Sequence, residues 1–382
     1  MRRNDVFFAV LLGLPVLTIG AAAVPLSGPT VQVAAVAQVH GAHGAHGAPS
    51  SDPSSSPSID PSIDPSSSPS GDPSSDPSSD PSAQATPSAP AAAAAATGPS
   101  PADFIDIRQV PPKRQGARAG RKASRGSFVS RCGNNRNAHR NPDNFIVAPG
   151  VSNGAHHTHD YVGNVSTDGQ STDQSLQQAG TTCRAGDKST YFWPVLRVTT
   201  PGDTSGQDGN NGTILQPTVT LQFRGNAASK VKAQPSLLRI ITGDAKAATN
   251  GGANGRAQWT CTGFTNRLTT KYPVCPRGSR VERILDFASC WDGKNTDSAN
   301  HRTHVLFPDP ATGACAAGLT PVPQLRMTLT YNVSQAQSRS IALDSFPEQL
   351  HNPVTDHGDF ENVMPSGLNS RVAACINRGS RC

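Results

Sequence analysis

From Cys132 onward, apolar residues come in short runs of four to eight positions, separated by clusters of Gly, Asn, Asp and Pro. Thr218–Phe223 (TVTLQF) and Leu325–Tyr331 (LRMTLTY) alternate apolar and polar residues at period two, the signature of a strand with one buried face. Tyr191–Val198, Leu237–Ile241, Val281–Phe287 and His304–Phe307 are rich in β-branched and aromatic residues and predict further strands. The Gly- and Asn-rich stretches 201–213 and 249–256 predict loops. Helical spacing is confined to Thr172–Gln178 and Ser366–Ile376. Many short strands between turn signals predict an all-β dominated domain, a β-sandwich or jelly-roll-like fold with short helices and long loops.

Before Cys132 this pattern is absent. Arg2 and Arg3, the apolar stretch Val6–Ile19 and the small residues Ala21–Ala23 predict an export signal over 1–23, with an uncleaved signal anchor as the alternative. A proline then falls at every fourth position from Pro49 to Pro81, mostly between serines and aspartates. Such a repeat, spanning 49–84, buries no apolar surface and would reach about 110 Å in polyproline II geometry. Residues 24–107 are therefore expected to be a disordered spacer. Residues 108–131 carry eight Lys and Arg and no acid, and are expected to be a disordered basic segment. Its charge suits an anionic envelope polymer; the absence of interleaved aromatics argues against nucleic acid. The globular domain is placed at 132–382, long enough for a sizeable core. No apolar run long enough to cross a membrane occurs beyond the amino-terminal segment.

Export gives meaning to eight cysteines: Cys132, Cys183, Cys261, Cys275, Cys290, Cys315, Cys375 and Cys382. An even number in an oxidising compartment predicts up to four disulfides, and no C-x-x-C is present to suggest a zinc ribbon or a redox pair. The expected pairs include Cys132 with Cys382, which flank the domain, and Cys290 with Cys315.

Six short segments occur in a fixed order: His156–Asn164 (HHTHDYVGN), Thr181–Cys183 (TTC), Tyr191–Pro194 (YFWP), Cys290–Gly293 (CWDG) through Asp297, His301–His304 (HRTH) and Asp356–Phe360 (DHGDF). Together they resemble the secreted domain-of-unknown-function family DUF1996 of fungi and actinobacteria, over roughly residues 142–376. The resemblance implies no activity. Fungal members often carry appended carbohydrate-binding modules, which implies a cell-wall or extracellular polysaccharide setting; here a Pro/Ser spacer and a basic block are found instead.

Three histidine clusters carry the candidate chemistry. His157-x-His159 on a strand would put two imidazoles on one face, His301 and His304 precede a strand, and His357 and Asp359 repeat the two-residue spacing. Gathered in one pocket, these donors would suit a divalent metal such as zinc or copper. Dispersed, they would be a polar network bracing loops. Asp292, Asp297 and Asp359, with Asp356, form the pool for a paired-carboxylate glycosidase, in which Trp193, Trp291 and Tyr191 would be sugar-binding platforms. His40, His43 and His46 offer a second setting for Cu(II) or Ni(II) if processing exposed a nearby amine. No G-x-S-x-G, G-x-x-x-x-G-K-[ST] or G-x-G-x-x-G occurs, so serine-esterase and nucleotide-binding readings have no support. The function expected is that of an exported protein acting at the envelope or outside the cell, polysaccharide-directed through a His/Asp-lined site. The alternative is a non-catalytic wall-binding or structural module tethered by the basic segment.

Overall fold

The computed structural model describes residues 98–382; the expected signal, the proline repeat and His40–His46 lie outside the described residues. The chain passes through β1 (Phe104–Asp106), β2 (Ser127–Ser130), β3 (Arg140–Asn141), β4 (His159–Gly163), α1 (Asp173–Gln178), β5 (Thr190–Pro194) and β6 (Leu196–Val198). It continues through β7 (Thr213–Ile214), β8 (Thr218–Arg224), β9 (Arg239–Gly243), β10 (Trp259–Cys261), β11 (Tyr272–Val274) and β12 (Val281–Asp286). The last elements are β13 (Cys290–Trp291), β14 (Val305–Leu306), β15 (Thr320–Pro321), β16 (Gln324–Tyr331), β17 (Ile341–Leu343), β18 (His357–Glu361) and α2 (Ser366–Arg378).

Two antiparallel five-stranded sheets face each other. The back sheet has the order β10-β12-β16-β8-β2 and the front sheet β3-β4-β5-β18-β9. In β16 the alternation read from the sequence is realised: Leu325, Met327, Leu329 and Tyr331 are buried, and the residues between them are half-exposed. Phe360 of β18 meets Phe223 and Phe287 of the back layer at ring-centroid distances of 6.0 and 6.2 Å. The sheets come close at Gly358, where a Cβ would lie 2.8 Å from Leu285 Cδ1. A strand-rich fold with two α-helices was the expectation, and the structure bears it out.

The front sheet is covered on both sides, so β5 is buried at all five positions and shows no alternation. Tyr191 and Trp193 point into the main core. Phe192 points the other way, into a second cluster with Phe145, Ile146, Tyr161, Leu176, Ile241 and Val363. The segment around Phe145 together with α1 forms this cover. Thr172 caps α1 by accepting from the Ser175 N–H.

Four expectations are corrected. Tyr191–Val198 is two strands, β5 and β6, because the chain leaves the front sheet after Pro194 and pairs instead with β17. The strand expected at Leu237 begins at Arg239, since Leu237 has a positive φ. Residues 98–131 are not outside the domain: β1 pairs with β11, β2 pairs with β8, and Phe104, Ile107 and Val110 join the core. Charge density had marked this stretch as a tail, but the apolar residues spaced among its arginines anchor it. Finally, Cys132 pairs with Cys183 and Cys382 with Cys375, while the Cys290–Cys315 pair is as expected and Cys261–Cys275 completes the set. β2 and α2 lie close together, but Cys132 and Cys382, which follow them in the chain, are tied to Cys183 and Cys375 rather than to each other.

Candidate metal centre

His159 stands on β4 directly opposite Pro194 of β5. Asp359 of β18 is opposite Phe192, so continuing that register by two residues sets His357 beside Pro194 on its other side. The two histidines are thus two strands apart, with backbones roughly 9–10 Å from each other. Only the low pyrrolidine ring lies between them, and the imidazoles lean together over it. His157, two residues before His159 and on the same face, closes the group. The three Nε2 atoms are 3.2 Å (His157–His159), 3.3 Å (His157–His357) and 3.4 Å (His159–His357) apart.

The outer nitrogens fix the tautomers. His159 Nδ1 lies 2.9 Å from the Asp143 carbonyl and His357 Nδ1 lies 2.8 Å from the Thr355 carbonyl. A carbonyl only accepts, so both Nδ1 atoms carry the proton and both Nε2 atoms present lone pairs. The 3.4 Å approach of His159 to His357 is therefore lone pair against lone pair. Burial, reinforced by the mutual proximity of the rings, pushes His157 well below the usual imidazole range. Burial also pushes His159 down to about 3 and lowers His357, so all three rings are neutral. For a metal–nitrogen bond of about 2.0–2.1 Å, tetrahedral coordination requires N–N edges of roughly 3.3 Å. The triad has those edges without adjustment.

Supporting groups come from three directions. The Asp143 carboxylate accepts from the N–H of Asn153 (2.6 Å) and of Gly169 (2.9 Å), holding the cover that leads into His157. Arg283 of β12, wholly buried, ion-pairs with Asp356 and donates to the Pro194 carbonyl (2.8 Å). It thereby pins the start of β18 and the end of β5 from the back sheet. Gly243, paired with His357, has φ +76°, and a Cβ there would lie 2.2 Å from the Asp356 carbonyl. His157 packs edge-on against half-buried Phe346 at 5.3 Å, beside exposed His156 and Lys246.

A family model described as "Domain of unknown function (DUF1996)" matches residues 144–363, 220 of the 382 residues. The chain belongs to this family. Among curated proteins and solved structures, none matches it. The matched DUF1996 span contains all three histidines, Asp356 and Arg283.

Within the DUF1996 domain the other expected site residues fall elsewhere. His304 donates through Nε2 to the Arg239 carbonyl (2.7 Å), and its Nδ1 faces Ser298 Oγ (2.9 Å). His301 Nδ1 is 2.9 Å from Asp297, and Arg302 donates to the Gly243 carbonyl (2.8 Å). This loop lies along β9, the edge strand of the front sheet, and occupies carbonyls that would otherwise be unpaired. The His301/His304 cluster therefore seals an edge and is not among the converging nitrogens.

The carboxylates do not form the expected pool. Asp292 spends both oxygens on the backbone and side chain of Lys294 and Asn295. Asp297 serves His301 and Arg239. Asp359 is wholly buried on the face of β18 that carries His357; Asn144 faces it, and burial pushes its carboxyl up to about 7. Of the expected sugar platforms, Trp193 and Tyr191 are fully buried in the core and cannot meet a sugar. Trp291 is half-buried and donates to the Asn295 carbonyl (2.7 Å). Sequence reasoning missed Asp143, Arg283 and Phe346. Asp143 and Arg283 act through a backbone carbonyl and an ion pair to a residue 73 positions away, which no local motif signals.

Proposed function

We propose that His157, His159 and His357 bind a divalent first-row ion, zinc or copper, and that this domain is an extracytoplasmic metalloenzyme. The observation that carries the reading is the meeting of three neutral Nε2 atoms within 3.4 Å, two of them with tautomers fixed by backbone carbonyls. Carbonyl partners on the far nitrogen are the usual outer-shell arrangement of metal-ligating histidine. Three neutral ligands would leave a bound ion its full charge and an open position, the form of a catalytic rather than a structural centre. His157 and His357 keep slight exposure while His159 has none, so a ligand or substrate would reach a bound ion from the side of Phe346 and His156. A bound ion would acidify a water there or polarise a substrate oxygen.

The amino-terminal apolar segment and the four disulfides support an exported protein, and the substrate proposed in that setting is a cell-wall or extracellular polysaccharide. Elemental analysis of protein purified without added metal tests the centre. About one zinc or copper per chain, lost in His159→Ala, is expected; sub-stoichiometric metal that zinc titration cannot raise would end the reading. Release of sugar ends from envelope polysaccharide, abolished by chelator and restored by metal, tests the activity. The second reading, a non-catalytic wall-binding module, draws on exposed arginines of 108–131 and predicts retention on wall material that chelator leaves unchanged.

A further inference from the structure

The outer face of the back sheet carries a large groove with no part in the histidine centre. Its floor is the solvent side of three central strands. Register aligns Gln222 of β8 with Arg326 of β16 and Asp286 of β12, and Arg224 with Gln324. One wall is the segment 115–127, which the sequence had suggested was a tail; the other is 307–313. The space enclosed is about 1020 Å³. That is the upper end of small-molecule sites and room for several sugar rings.

Charge and hydrogen-bonding capacity are both distinctive. Five arginines line the groove (Arg125, Arg224, Arg256, Arg326 and Arg381) against two aspartates. Asp286 sits at the floor between two guanidinium groups, 2.7 Å from Arg224 and 2.6 Å from Arg326, so this cluster keeps a positive charge. Arg224 Nε has no hydrogen-bond partner among the described residues. Asp309 is engaged by Thr312 and Ala311 of its own turn. Between the arginines stand Gln222 and Gln258, whose amides both donate and accept, as sugar hydroxyls require, while Gln324 is held by Arg224 (2.8 Å) and the Phe287 carbonyl (3.0 Å). Phe307 is the aromatic residue of the lining, and Arg256 covers its ring at 4.0 Å. No aromatic face is left for a nucleic-acid base to stack on.

We infer that this groove binds an anionic glycan, its carboxylate or phosphate groups on the arginines and its hydroxyls on the glutamine amides. The site is independent of the metal centre. It orders the basic segment as one wall and would hold the domain on an acidic polymer while the other sheet works.

Calorimetry with the full chain tests this, using a hexamer of galacturonic acid, neutral cellohexaose and inorganic polyphosphate as probes. The galacturonate hexamer should bind, and raising salt from 0.05 to 0.5 M should weaken it at least about tenfold, because guanidinium–carboxylate attraction is screened. Cellohexaose should not bind. Removing Arg224 or Arg326 would take a partner from half-buried Asp286, so the variant of choice is Arg256→Glu with Arg381→Glu, both exposed and making no side-chain hydrogen bond among the described residues. It should keep the wild-type thermal midpoint and lose at least tenfold in affinity, while His159→Ala binds as wild type. Failure of the hexamer to bind, binding indifferent to the double variant, or polyphosphate binding more tightly than the hexamer would each overturn the assignment.

Discussion

Asp356 is worth more to this protein as a counter-charge than as an acid. Arg283 and Asp356 are both fully buried, and the guanidinium also serves Pro194 and Tyr331. Removing one partner leaves an uncompensated buried charge. Asp356→Ala is expected to cost about 3–5 kcal/mol in urea unfolding, with the histidine centre disrupted through the start of β18. Glu361 is a second residue-scale test. Burial pushes its carboxyl up to about 7 although Arg239 opposes the shift. A carboxyl whose folded value is raised binds its proton more tightly folded than unfolded, so its contribution is favourable below about 4.5 and is lost as pH rises through 7. Between pH 5 and 8 the wild type should lose on the order of 1–3 kcal/mol that Glu361→Gln does not. Comparing the two thermal midpoints isolates this share from Asp359, which has the same sign, and from the neutral histidines, which have the opposite one.

Among the elements, β18 and β2 bear most on function. β18 supplies His357 toward the cover and Phe360 toward the back sheet, and it tolerates the close approach of the two sheets through Gly358. Its neighbour β9 ends in Gly243, whose left-handed φ and lack of space forbid a side chain. Gly243→Ala should therefore displace His357 and weaken zinc affinity at least about tenfold, alongside a stability loss of roughly 1–3 kcal/mol. The strand β2 hydrogen-bonds along β8 and places Phe128 on Phe223. A chain beginning at residue 132 is thus expected to melt many degrees below one beginning at residue 98; equal midpoints would mean that β1 and β2 merely lean on the domain.

At the scale of the whole molecule, the proposed metal site would link ion binding to fold stability. The triad joins β4, in mid-sheet, to β18 and to the cover, so an ion bound there would hold three parts of the chain together. An ion at a hundred times its dissociation constant should add about 2.7 kcal/mol to stability. A rise in thermal midpoint on adding zinc, reversed by chelator and absent in His159→Ala, is the expected outcome. Among the described residues no helix is long and apolar enough to cross a membrane. The four disulfides tie loops of the domain at sequence separations from 7 to 51.

Sequence alone determined the strand-rich class, both α-helices, most strands and the family, because period-two alternation, turn residues and ordered short motifs are local properties. It also placed the three converging histidines among five candidates, since the x+2 spacing puts residues on one face of a strand. Only tertiary structure separated His157, His159 and His357 from His301 and His304. That distinction depends on whether a segment lies on the face of the front sheet or along its edge, which is set by strand order and register. Burial decided likewise against Trp193 and Tyr191, whose aromatic character is the same in a core as on a binding surface. The basic segment was misjudged for a related reason: its charges are contiguous in sequence, whereas the apolar contacts that order it are made with β8 and β11, more than 90 residues away.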